Sequence, residues 1–143
     1  MFNKETEYAL RSLVYIQYCN YKDHNPGIAE IAKEIGAPPF YIAKILQRLV
    51  KIGFIHSIRG KRGGFYFETS QTDLPLKNII EATEGQALFT GCGFGLKECD
   101  EHDPCPVHDK FTAIRDGILK LVTEETVQSL ASKVMVNNSP FKR

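Results

Sequence analysis

The sequence has no apolar run long enough to cross a bilayer and no apolar segment near its first residue. No stretch of its 143 residues approaches the ~18 consecutive apolar residues that a spanning helix needs. We therefore expect a cytoplasmic protein that does not enter a membrane. Thiols stay reduced in that compartment, so cysteines that cluster there are more often ligands than disulfide partners.

The sequence also lacks internal repeats, low-complexity linkers and any Cys-x-x-Cys pair. No serine or cysteine has a plausible base beside it in sequence, so we predict that the chain is not an enzyme such as a thiol oxidoreductase. With 43% hydrophobic and 24% charged residues, its composition is that of a folded protein. A chain of this length suits one integrated domain with a core of its own.

Acidic residues are absent from one long part of the chain. Residues 35–67 contain six Lys or Arg and no Asp or Glu, whereas residues 97–109 contain five acidic residues and one Lys. The net charge of +1 therefore hides a basic block followed by an acidic block. A basic block of this kind is typical of a surface that binds nucleic acid.

Apolar periodicity in the first half predicts helices over about residues 4–20, 28–35 and 38–52. The last two are short, apolar on one side and joined by a tight turn, which is the helix-turn-helix pattern. Two strands at about 54–58 and 65–67 then flank a glycine-rich turn and form a hairpin. The sequence therefore predicts a mainly α fold with a small β-hairpin wing, and residues 1–84 as a winged helix-turn-helix region that binds DNA.

The second half is expected to contain a cysteine-rich loop over residues 85–106, dimerisation helices over 107–136 and a frayed tail over 137–143. The helical part shows the alternating steps of four and three that suit lengthwise packing against another helix. The residues at those steps are Val107, Phe111, Ile114, Ile118 and Leu121. This pattern breaks near Thr123, which we expect to cap a following helix.

The third helix and the wing hold the candidate DNA-binding residues. The exposed face of the helix offers donors and aromatic surface for a major groove, and the flexible wing tip offers cations for a narrow minor groove. On the helix these residues are Phe40, Tyr41, Lys44, Gln47 and Arg48, and on the wing they are Arg59, Lys61 and Arg62.

Three of the four cysteines lie within fourteen residues, with the spacing Cys92-x6-Cys99-x5-Cys105-x2-His108. Thiolates hold iron–sulfur clusters, and three of them suffice when a fourth group completes the set. Zinc is the less favoured alternative, because structural zinc sites prefer two close pairs and only Cys105 and His108 form one here. A metal-free thiol switch also remains open. Cys19 is expected to be a small buried apolar side chain.

Three segments resemble the Rrf-two family of winged-helix transcription regulators. They are EYALRSL at residues 7–13, YIAKILQRL at 41–49 and SIRGKRGG at 57–64, and the spaced cysteines complete the likeness. The resemblance covers almost the whole chain. It implies a homodimer on a roughly palindromic double-stranded DNA operator, with the third helix in the major groove and Arg59 in the minor groove.

The resemblance also offers two candidates for a fourth cluster ligand. His108 stands where the family's cluster-biogenesis regulator has its ligating histidine, and Glu7 stands where the family's nitric-oxide sensor uses a carboxylate from the partner subunit. The sequence chooses neither between these ligands nor between a 2Fe–2S and a 4Fe–4S cluster. We expect a regulator that senses redox, nitric oxide or iron–sulfur status; the alternative is a metal-free regulator that answers a metabolite or a partner protein.

Overall fold

Seven helices and one two-stranded hairpin form the chain in a computed structural model that describes residues 1–143. The predicted mainly α fold with a small β hairpin is therefore confirmed. None of the helices is both long enough and apolar enough to cross a membrane. In chain order the elements are α1 (Lys4–Asn20), α2 (Ile28–Ile35), α3 (Pro39–Ile52), β1 (His56–Ile58), β2 (Gly64–Tyr66), α4 (Leu76–Glu84), α5 (Ala87–Thr90), α6 (His108–Glu124) and α7 (Val127–Asn137).

The first helix, α1, runs through the core and packs against α2, α3, α4 and α7. It begins at Asn3, whose side chain accepts the Thr6 N–H at 2.8 Å and satisfies one free backbone donor of the first turn. Its apolar stripe, which includes Ala9, Leu13 and Ile16, is completely buried. The helix thereby connects the helix-turn-helix half of the chain to the second half.

Glycines end both helices of the helix-turn-helix. Gly36 closes α2 at φ 70° and Gly53 closes α3 at φ 95°, a left-handed conformation that residues with a side chain rarely adopt. Pro38 precedes α3 and Pro39 occupies its first turn, where no intrahelical hydrogen bond is lost. The boundaries of this motif therefore follow directly from local sequence.

The wing is shorter than predicted and its base rests on the turn between α1 and α2. Its strands pair antiparallel over three residues each, with Ser57 opposite Phe65. Phe65 N–H donates to Pro26 O at 2.9 Å. A Cβ on Gly64 would lie 2.1 Å from Asn25 O, so only glycine permits this approach. The turn therefore supports the position of the wing.

The helix α7 begins three residues later than expected, and the prediction that Thr123 is its cap is wrong. Thr123 lies inside α6, which continues to Glu124. The cap is Thr126, which has extended backbone angles and whose side chain accepts the Ser129 N–H at 2.9 Å. Because α7 packs against α1, its Val127 and Ala131 are buried within the chain, whereas Ile114 and Leu121 of α6 stay exposed.

The tail folds back onto α1, so the expectation that it is frayed is wrong. The Phe141 ring packs edge-on against Tyr15, with ring centroids 5.1 Å apart. Arg11 Nη1 donates to Phe141 O at 3.0 Å, and Lys142 Nζ donates to Lys33 O at 2.7 Å. Aromatic packing and these two hydrogen bonds hold the tail against α1 and α2.

Candidate DNA interface and cysteine loop

The exposed face of α3 presents a cation over an aromatic ring. Phe40 is 72% exposed, and Lys44 Nζ lies 4.6 Å from the centre of its ring. Gln47 follows one turn later and is also exposed. The opposite side of the helix is buried, with Ile42 and Leu46 fully inside the core. Three predicted DNA-binding side chains therefore share one open face.

Two other predicted residues of α3 are engaged within the chain. The Tyr41 ring packs edge-on against Tyr8, with centroids 5.8 Å apart. Arg48 Nη1 is 2.6 Å from Glu5 Oε1, and Nη2 donates to Ala82 O. These contacts fix α3 to α1 and α4. In this structure Arg48 therefore connects helices, and its contact with DNA stays a prediction.

The wing carries three cations with no acidic partner. Arg59, Lys61 and Arg62 are exposed and form no ion pair. A cleft of about 470 Å³ separates the wing from α3, and its lining includes Gln47 and Arg59. The α3 face and the wing therefore open onto the same space, as two DNA-contacting elements must.

The cysteine loop is held against α6 at two points, one of which requires glycine. A Cβ on Gly93 would lie 2.3 Å from the ring of Phe111. Arg115 Nη1 donates to Gly91 O at 3.3 Å. Within the loop the short helix α5 buries Phe89 in the core, an element that the sequence analysis missed. A movement of the loop would therefore act directly on α6 through these two contacts.

Hydrogen bonds to the sulfur of Cys92 favour the deprotonated form of its thiol. The pKa of this thiol lies below its usual range, because Leu96 and Phe94 backbone N–H groups donate to the sulfur and Cys105 adds a side-chain hydrogen bond. A thiolate is the form that binds metal. Cys92 and Cys105 therefore form one pair of donors.

Cys99 and His108 form a second pair, with Cys99 Sγ 3.6 Å from His108 Nδ1. No three of the loop's Cys and His donors lie within 4.8 Å of one another. A single tetrahedral zinc with Zn–S bonds of about 2.3 Å would bring all four donors to about 3.8 Å from each other. The loop thus offers two pairs of donors instead of one tetrahedral set.

Arg115 places a positive side chain beside the loop. Its Nε is buried, forms no hydrogen bond and lies 3.8 Å from Asp116 Oδ1, and the side chain lines a pocket that Cys99 and His108 also line. A buried donor without an acceptor is costly, so an anionic group at this place would relieve that cost. The acidic side chains of the loop are all exposed: Glu98, Asp100, Glu101 and Asp103. Three of them, Glu98, Asp100 and Glu101, line the pocket that Cys99 and His108 also line.

Glu7 has no contact with the loop of its own chain. Its carboxylate lies 3.0 Å from Lys4 Nζ, and this hydrogen bond holds the pKa of Glu7 below its usual range. The side chain is thus ionised and on the surface of α1. Of the two candidate fourth ligands, only His108 lies beside a loop cysteine here.

The structure brings together one set of donors that the sequence analysis did not connect. Cys19, His24 and Glu30 have ligand atoms that all lie within 4.8 Å of one another. The expectation that Cys19 is buried is confirmed, since only 4% of the residue is exposed. Because Cys19 fits the apolar periodicity of α1, the sequence pattern did not indicate a ligand role for it. The short spacing between Cys19 and His24 could have indicated one.

Comparison with known proteins identifies relatives over most of the chain. The family model Rrf2, described as an iron-dependent transcriptional regulator, matches residues 2–133. An Aquifex aeolicus protein described as an HTH-type transcriptional regulator is 28% identical, covering 91% of this chain and 90% of its own. The HTH-type transcriptional regulator IscR of Pectobacterium atrosepticum is 25% identical, covering 78% of this chain and 67% of its own.

A similar structure is that of CymR, the global cysteine regulator of B. subtilis. It aligns with a TM-score of 0.74 and 21% identity, over 93% of this chain and 97% of its own. At this level of identity the likeness concerns the fold. It confirms the winged-helix prediction.

Proposed function

The chain belongs to the Rrf2 family of transcriptional regulators, and from this premise we propose that it binds a DNA operator in response to an iron–sulfur cluster held by its cysteine loop. The observation that carries the proposal is the pair Cys99 and His108, 3.6 Å apart at the first turn of α6. The family's description as iron-dependent supports it. The function is thus regulation of transcription, and no catalytic group is needed.

The donor pairs favour a cluster with more than one iron. Cys92 with Cys105 would hold one iron, and Cys99 with His108 would hold the other, which is the ligand distribution of a 2Fe–2S centre. The Arg115 guanidinium, which lines the same pocket as Cys99 and His108, would compensate part of the negative charge of such a group. When bound, the cluster supplies one-electron redox chemistry.

A chain of contacts connects the loop with the DNA-reading helices. The loop leaves the end of α4, where Glu84 Oε2 accepts hydrogen bonds from Asn3 N–H at 3.0 Å and from Thr6 Oγ1 at 2.6 Å. Arg48 of α3 donates to Ala82 O, two residues earlier in α4. A shift of the loop would therefore move α4 and alter the placement of α3.

Anaerobic purification tests the cluster. We expect a coloured protein with equal amounts of iron and acid-labile sulfide, and operator affinity that changes when air bleaches the colour. The matched control replaces Cys92, Cys99 and Cys105 with Ala, which should remove iron and the response. A colourless anaerobic protein with stoichiometric zinc would contradict the cluster. A triple variant that still regulates normally would favour the metal-free regulator.

A further inference from the structure

A second set of metal-binding side chains lies at the turn between α1 and α2, outside the cysteine loop. His24 Nε2 is 2.9 Å from Glu30 Oε1 and 2.8 Å from Oε2, and Cys19 Sγ completes a set within 4.8 Å. We propose that Cys19, His24 and Glu30 bind a divalent transition metal, zinc by preference, with a solvent molecule as fourth ligand. A thiolate, an imidazole and a carboxylate are all zinc ligands.

The His24–Glu30 contact needs little movement to admit the ion, and Cys19 Sγ, within 4.8 Å of both side chains, must approach to a Zn–S bond of about 2.3 Å. Zinc with Zn–N and Zn–O bonds of about 2.0–2.1 Å separates two tetrahedral ligand atoms by about 3.3 Å. The His24–Glu30 contact must therefore open by about 0.5 Å from its present 2.8–2.9 Å. The ion takes the place of the proton between them, and the Cys19 thiol releases its proton to solvent. One thiolate and one carboxylate then balance the two charges of the ion.

The site is reachable from solvent although its sulfur is buried. Cys19 forms part of the wall of an open cavity of about 630 Å³, together with His24 and Glu34. Burial raises the pKa of the Cys19 thiol, so without metal the sulfur stays neutral. Glu34 lines the same cavity together with Lys22 and Lys142, so its entrance carries charges of both signs.

The backbone of the turn sets the spacing of the ligands. Asp23 has a positive φ of 58°, and the His24 N–H then donates to Cys19 O at 3.0 Å. This hydrogen bond returns the chain over the end of α1 and places the imidazole beside the sulfur. Glu30 follows in the first turn of α2. The His24–Glu30 ion pair by itself would not require the buried Cys19 thiol beside it.

The turn that carries these ligands also supports the wing. Asn20 Nδ2 donates to His24 O at 3.1 Å and to Phe65 O at 3.3 Å, and Pro26 O accepts the Phe65 N–H. A bound ion would restrict this turn and hence the base of β2. The consequence for DNA affinity rests on the proposed function, whereas the metal site itself does not.

Cobalt titration of the full chain tests the site. The protein carries Cys92, Cys99 and Cys105 replaced by Ala, so that the loop cannot supply sulfur. We expect one equivalent of Co²⁺ to produce a thiolate-to-cobalt charge-transfer band under anaerobic conditions, and Zn²⁺ to displace it. Circular dichroism checks that each protein is folded.

Two surface variants in that background keep the test independent of changes in the core. His24→Gln and Glu30→Gln should weaken zinc binding by more than the roughly 10- to 100-fold that loss of an outer-shell partner causes. The matched control is Glu68→Gln, because Glu68 pairs with His56 at 3.7 Å in another exposed His–Glu contact. Absence of the band, or a band unchanged in both variants, overturns the proposal. Neither result bears on the iron and sulfide content of the unmodified loop.

Discussion

Arg59 is the wing residue on which the expected minor-groove contact depends. It is exposed, has no acidic partner and borders the cleft between the wing and α3. Lys44 occupies the open face of α3 above the Phe40 ring. An arginine that reads groove shape and a lysine that meets phosphate affect affinity differently, so their substitutions separate the two contacts.

Arg59→Ala should cost about 1–3 kcal/mol of operator binding and relax the preference for A/T-rich flanks. Lys44→Ala should weaken binding to all sequences and lower the salt slope of log K by about 1. Fluorescence anisotropy across a salt series measures both. Lys120→Ala, on α6 and paired with Glu124, is the control. Unchanged affinity in both variants would mean that DNA binds elsewhere.

The fourth cluster ligand is a second question at the scale of single residues. His108→Ala should abolish or shift the visible absorption of the anaerobic protein, because His108 Nδ1 lies beside Cys99 Sγ. Glu7→Gln should leave the spectrum unchanged, since that carboxylate pairs with Lys4. Visible absorption and circular dichroism compare the variants. The reverse pattern would assign the ligand to Glu7 of the partner.

Single residues were predictable from the sequence when the cause was local. Gly36 and Gly53 end their helices because each takes a left-handed conformation, a property visible in the residue type. The partners of Arg48 were not predictable, because Glu5 and Ala82 lie 43 and 34 positions away along the chain. The pairing of Cys99 with His108 likewise depends on how the loop folds back.

At the scale of elements, the beginning of α7 shows why a break in periodicity locates a cap only approximately. Thr123 and Thr126 both fit the sequence pattern, but Leu74 O accepts the Val127 N–H at 2.9 Å and fixes the later start. That contact joins residues 53 positions apart. The contact with Leu74 therefore determines which of the two threonines caps α7.

Thr126→Ala should lower the free energy of unfolding by about 1 kcal/mol, because the Ser129 N–H loses its acceptor. Thr123→Ala is the matched control, since its side chain is exposed inside α6 and alanine favours a helix. Urea unfolding followed by circular dichroism gives both values. Equal losses in the two variants would contradict the assignment of the cap.

The contact between the cysteine loop and α6 can be tested with a pair of glycine substitutions. Gly93→Ala places a methyl group 2.3 Å from the Phe111 ring, so the loop or the Phe111 ring of α6 must shift. We expect cluster content to fall while helix content stays. The control is Gly117→Ala in α6, where an added Cβ has nothing within 4 Å. This variant should keep the cluster and stabilise α6. Iron and sulfide analysis decides, and full cluster content in Gly93→Ala would contradict the contact.

At the scale of the whole molecule, one apolar surface has no partner within the chain. Ile114 is 62% exposed and Leu121 is 51% exposed, one heptad apart on α6. The sequence pattern predicted this stripe, and the structure shows that the rest of the predicted dimerisation region, α7, packs on α1 instead. A second copy of α6 is the partner that the a/d spacing suits.

We propose that two copies of the chain pair through this stripe, so Ile114→Glu with Leu121→Glu should convert the dimer into a monomer. An interface related by a two-fold axis repeats each substitution, so four carboxylates would be buried without partners. Sedimentation velocity measures the change, and operator affinity should fall with it because a monomer reaches only one half-site. The control Lys120→Glu alters charge on an exposed position of the same helix and should remain dimeric. A double variant that sediments as a dimer would place the interface on another surface and leave the α6 stripe without a role in assembly.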